Sequence, residues 1–111
     1  MPSNYIFFDQ ITAQAPPPAG GILSKTVHAD DRLKAVLFGF AVGEELSEHT
    51  ASMPAIMHFL QGEADVTIGE DKMQAGPGAW FHMQPNVKHS IVAKTPVSML
   101  LLLLKNPTPS K

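Results

Sequence analysis

The chain of 111 residues is long enough for one compact domain and too short for two. A formal net charge of −2, with lysines and arginines scattered singly, offers no basic stripe for a nucleic-acid backbone or a membrane surface. Cysteine is absent, which excludes disulfides, thiolate metal sites and thiol catalysis together.

The apolar residues fall in short runs punctuated by glycine, proline and charged turns, a β pattern with almost no helical periodicity. Tyr5–Phe8 reads as a first short strand. The Ala15–Gly21 stretch (A-P-P-P-A-G-G) must be extended or turned, because proline fixes φ and withholds a donor. Strands are then expected over Ile22–Ala29 and Leu33–Val42, the second covered on both faces. Glu44–Ser52 is polar and reads as a loop carrying His49. Ala55–Leu60 and Ala64–Ile68 flank the turn Gln61-Gly62-Glu63, and Lys72–Ala75 follows the turn Gly69-Glu70-Asp71. Ala79–Met83 and Ser90–Ala93 bracket a loop at Gln84-Pro85-Asn86-Val87-Lys88. Val97–Leu104 is the last strand, and its run of leucines marks a central, doubly covered position. Asn106–Lys111 reads as a frayed tail. About eight to ten short strands predict an all-β sandwich or barrel. Trp80, Phe81, Phe59, Met57, Met53 and Met83 read as its core. Residues 1–32 would add N-terminal extension strands to a single domain spanning 1–111.

Spacing is the strongest signal. Gly43, His49, Ala51, Ala55 and Gly62 form one spaced set, and Gly78, Gln84, Asn86 and His89 form another. These intervals resemble the two motifs of the cupin superfamily, over roughly residues 33 to 104. The resemblance implies an antiparallel double-stranded jelly-roll β-barrel with a pocket at one open end. In most members that pocket holds a divalent metal (zinc, iron, manganese or nickel) on three histidines and a glutamate. Carried over by position, His49 and His89 match two of those histidines, while Ala51 stands at the third and Ala55 at the glutamate. Gln84 replaces a proline and Asn86 a glycine, a mild change because asparagine tolerates left-handed backbone. The alanines have no donor atoms.

Zinc and non-haem iron sites need at least three protein ligands. His82, seven residues before His89, is the first candidate for a recruited third ligand, if its strand turns it inward. His58 should face away from the pocket by strand alternation, and Glu48 adjoins His49 too closely to aim at the same point. Gln84 offers a carbonyl oxygen. His28 reads as locally hydrogen-bonded. The expected ligand pocket therefore comprises His49, His89, His82, Gln84, Met57 and Phe59, with or without a metal.

Two functions stand side by side. One is a binding module that holds a small molecule without chemistry, favoured by the two alanines. The other is a divalent-metal enzyme, an oxygenase, isomerase or epimerase, with a non-standard ligand set. A sensory domain without a DNA-binding part is a third. The open edges of a small barrel predict a homodimer, with Tyr5–Phe8 pairing onto a partner. The N-terminal residues lack a signal-peptide pattern, and the longest apolar run, Met99–Leu104, is far below the roughly 20 residues that span a bilayer. A cytoplasmic domain with no membrane or nucleic-acid partner is expected.

Overall fold

The computed structural model describes residues 4–105. Nine strands follow one 3-10 turn at Ile11–Gln14: β1 Ile22–Ala29, β2 Leu33–Phe40, β3 Glu45–His49, β4 Ala55–Gln61, β5 Ala64–Ile68, β6 Asp71–Ala75, β7 Trp80–Met83, β8 His89–Ala93 and β9 Val97–Leu104. They form two antiparallel sheets, of order β1-β2-β9-β4-β7 and β3-β8-β5-β6, packed as the two walls of a jelly roll. The leucine-rich β9 lies at the centre of the larger sheet, where both neighbours saturate its backbone. No described helix is long and apolar enough to cross a membrane.

Alternation explains most of the core. Along β4, Ala55, Met57 and Phe59 are buried while Ile56, His58 and Leu60 are only half-buried. On the facing sheet His89, Ile91 and Ala93 of β8 point inward, as does Val66 of β5. Phe40, Met57, Phe59, Ile91, Val97 and Met99 meet between the sheets, each excluded from water and each contributing roughly 1.5–3 kcal/mol of transfer free energy. Leu37 and Ala35 turn to the outside of the larger sheet but remain buried. There the N-terminal segment crosses them: Ala15 is fully buried, and a Cβ on Gly39 would strike the backbone of Ala15 and Pro16.

Three expectations need correction. Tyr5–Phe8 is not a strand; it pairs with no strand among the described residues, and Tyr5, Ile6 and Phe7 are exposed. Glu45–His49 is a strand rather than a loop, because Leu46 packs into the core and the backbone pairs with β8. Trp80 lies outside the core, 58% exposed, since Phe81 and Met83 occupy the inward positions of its strand. The tail at 106–111 lies outside the described residues.

The frame glycines hold left-handed backbone: φ is 82° at Gly43, 85° at Gly62 and 93° at Gly78. Gly62 has a second constraint. A Cβ there would collide with the Pro96 carbonyl and lie 2.9 Å from the Val97 Cα, so the β4–β5 turn and the start of β9 approach at glycine distance. The missing Cβ of Gly43 would meet open space. Gly43→Ala is therefore expected to cost only the left-handed penalty, roughly 1–2 kcal/mol. Gly62→Ala should lose more, read as a lower urea midpoint; equal losses at the two positions would contradict the close approach.

Candidate functional site

The site depends on an irregularity in β3. Leu46 pairs with Ile91 and His49 pairs with His89, so three steps along β3 match two along β8. The extra residue is a β-bulge, and it reverses the parity of every position beyond it. Without it, Glu48 would share the inward face of Leu46. With it, His49 does. The imidazoles of His49 and His89 come together with ring centroids 4.1 Å apart and planes inclined by 60°.

Both rings are oriented in the same way. His49 Nδ1–H donates to the Ser47 carbonyl at 2.8 Å, and His89 Nδ1–H donates to the Val87 carbonyl at 2.9 Å. A carbonyl only accepts, so the proton of each neutral ring sits on Nδ1 and Nε2 keeps its lone pair. Ile68 of β5 flanks His89 on the side away from His49 and packs against the core. His89 is 5% exposed, whereas His49 sits at the rim in contact with solvent. Burial holds the His89 pKa below its ordinary value of 6.5; the Val87 hydrogen bond opposes this, and the neighbouring His49 adds to it.

The loops that carry the frame are tied across the mouth. Asn86, with φ of 67°, donates its backbone N–H to the Ala51 carbonyl at 2.7 Å, and Gly69 donates to the Lys88 carbonyl at 2.7 Å. Asparagine thus performs the left-handed turn expected of it. Ala55 points inward as the first residue of β4 and is 1% exposed, packed in the apolar core.

The other expected site residues do not join the pair. His82 turns outward, because Phe81 and Met83 take the inward positions of β7, and its ring stacks on Trp80 at 6.4 Å and 18°. Gln84 is exposed on the turn after β7. Met57 and Phe59 are packed into the core, 1% and 0% exposed. His58 faces away from the interior, as alternation requires. The sequence reading missed Ile68 and the two carbonyls that fix the tautomers. Ile68 follows only from long-range pairing, but the carbonyls had a local signal, since each lies two residues before its histidine.

A divalent metal is the group that this frame implies, and the donor set can be tested against it. Two imidazole rings meet, Ala51 and Ala55 supply no donor, and no group of three or more His, Cys, Asp or Glu side chains is placed to share an ion among the described residues. That set falls short of the three protein donors a zinc or non-haem iron centre requires, so the residues present do not fit the group.

No curated protein matches the chain. Solved structures do. A cupin superfamily protein from Desulfitobacterium hafniense is 25% identical with a TM-score of 0.81, covering 96% of this chain and 95% of its own. A protein of unknown function from Streptococcus pyogenes is 21% identical with a TM-score of 0.80, covering 97% and 93%. KdgF from a Halomonas species is 26% identical with a TM-score of 0.71, covering 78% and 81%. The family model described as a cupin domain matches residues 36–104, from the middle of β2 to the last residue of β9, and so spans both spaced motifs and the paired histidines between the sheets. By that match over most of its length, the chain belongs to the cupin family.

Proposed function

We propose that this cupin barrel binds a small organic molecule at the mouth marked by His49 and His89, reading it by direct hydrogen bonds. The observation that supports this most is the paired tautomer. Both Nδ1–H groups are committed to backbone carbonyls, which leaves two Nε2 atoms without a hydrogen-bond partner among the described residues at one place on the barrel. Because the His89 pKa is lowered, its ring is neutral at pH 7 and accepts a hydrogen bond there. The matching ligand presents a hydroxyl or N–H group to His89 and reaches the exposed His49 beside it.

A thermal-shift comparison with a panel of small hydroxy compounds tests this reading. A compound that raises the midpoint of the wild-type chain should fail to do so for His49→Ala and for His89→Ala. Equal shifts in all three proteins would place binding elsewhere and overturn the proposal.

The alternative is the divalent-metal enzyme with a ligand set completed from outside these residues. It is favoured by the family resemblance alone, and the two-nitrogen donor set speaks against it. Protein purified without chelator is expected to contain metal at buffer level. Near-stoichiometric metal that disappears in the joint His49→Ala, His89→Ala variant would establish the metal reading instead.

The buried imidazole also fixes the sign of a pH effect. Its folded pKa lies below the unfolded value near 6.5, so between the two the unfolded chain binds more protons. This contribution to stability is complete above pH 6.5 and is lost as pH falls toward the folded value. Urea midpoints measured from pH 7.5 down to 5 should therefore decline, and His89→Gln should flatten the decline. A slope unchanged by that substitution would remove His89 as its source.

A homodimer belongs to the same proposal. Tyr5, Ile6 and Phe7 are 77%, 56% and 76% exposed in one chain, an apolar segment that a second copy would cover. Sedimentation equilibrium is expected to give about twice 12.0 kDa. A mass of one chain would end that expectation. A cysteine-free composition suits the reducing cytoplasm.

A further inference from the structure

A second bulged strand places a second histidine. In β1, Thr26 pairs with Val36 and His28 pairs with Ala35, so Val27 is the extra residue. The parity change turns His28 to the outer face of the larger sheet, on the side that the N-terminal segment crosses. There a cleft of about 430 Å³ is lined by Asn4, Tyr5, Ile6, His28 and Asp30, within the size range of small-molecule sites.

The polar end of the cleft is held in place from three directions. Asp30 Oδ1 accepts the backbone N–H groups of Arg32 at 2.7 Å and Leu33 at 2.9 Å. Asp30 Oδ2 accepts from His28 Nε2–H at 2.8 Å. Lys105 Nζ donates to the Asp30 carbonyl at 2.7 Å, pinning the hairpin to the end of β9. The three bonds to its carboxylate, the one from His28 foremost, pull the Asp30 pKa down to about 2, so the carboxylate is ionised at any working pH. An ionised carboxylate only accepts, which commits the His28 proton to Nε2. Nδ1 of the neutral ring then keeps its lone pair, with no protein partner among the described residues.

We propose that the cleft beside His28 is a second ligand site, taking a small planar ring compound that donates one N–H or O–H hydrogen bond. Tyr5 and His28 bring two aromatic rings to one cavity, Ile6 supplies an apolar side chain, and His28 Nδ1 supplies the acceptor. The fixed negative charge of Asp30 disfavours an anion. This site lies on the outside of the larger sheet and does not depend on the His49–His89 reading; a second copy covering Tyr5 and Ile6 would compete with the ligand for it.

The test is a titration of the full ¹⁵N-labelled chain with indole, followed by amide correlation spectra. Its twin is 1-methylindole, which keeps the ring and lacks the donor. Saturable shifts are expected at residues 4–6 and 28–33, with indole binding about threefold or more tighter than its methylated twin, the worth of one net hydrogen bond. His28→Phe keeps a flat ring and should abolish that preference without moving the spectrum near His49 and His89. Equal binding of the two probes, shifts without saturation, or shifts centred on Trp80 and His82 or on the paired histidines would each overturn the proposal.

Discussion

A strand with one face against the core can send side chains inward only at alternate positions, and an added residue is the local device that changes which set that is. The chemistry of this barrel depends on that device. β3 has to bury Leu46 and also to end on His49, three residues later, which regular pairing forbids. The bulge resolves the conflict and delivers His49 to its cross-strand partner His89. The same constraint, met the same way in β1, decides that His28 faces the N-terminal segment. Two of the five histidines thus owe their surroundings to single unpaired residues.

The converse appears in β7, which is regular. Phe81 and Met83 are needed inside, so Trp80 and His82 have no choice but to face out. No recruited third donor can come from that strand without losing two core side chains. The empty ligand positions follow a similar logic. Ala55 occupies an inward place at the first residue of β4, where a carboxylate would need partners to offset its desolvation. With alanine there, the core closes over the position. His89 is left in an apolar setting that favours its neutral form.

Much of this was legible in the chain. The leucine run announced the centre of a sheet, and β9 is that centre, but Leu100–Leu104 are half-buried rather than covered on both faces. Ala64–Ile68 and Val97–Leu104 were bounded correctly because alternation and flanking turns agree there. The glycine spacing was legible because left-handed turns select glycine, and Asn86 is the informative exception. What could not be read was long-range pairing. Glu45–His49 is polar enough to pass for a loop, and only its partner β8 makes it a strand. Tyr5–Phe8 has the composition of a strand but pairs with no strand among the described residues. Neither bulge leaves a mark in local composition, so His49 could be named from spacing while its geometry could not.

The histidines beside the β3 and β1 bulges differ in what orients them, and this decides what each can recognise. His89 leans on a neutral carbonyl inside an apolar wall, so its proton lies on Nδ1 and its free atom is Nε2. His28 leans on an ionised carboxylate at the surface, so its proton lies on Nε2 and its free atom is Nδ1. A carbonyl stabilises a charged imidazole less than a carboxylate does, and burial penalises that charge further. The interior pair is therefore suited to accept from a neutral ligand and to respond when acid supplies a proton. The outer histidine is oriented by a carboxylate, which holds a proton on Nε2 and leaves Nδ1 as the acceptor of the neutral ring. One fold thus holds imidazole acceptors of opposite tautomer on its two sheets, each set beside a one-residue insertion of its own.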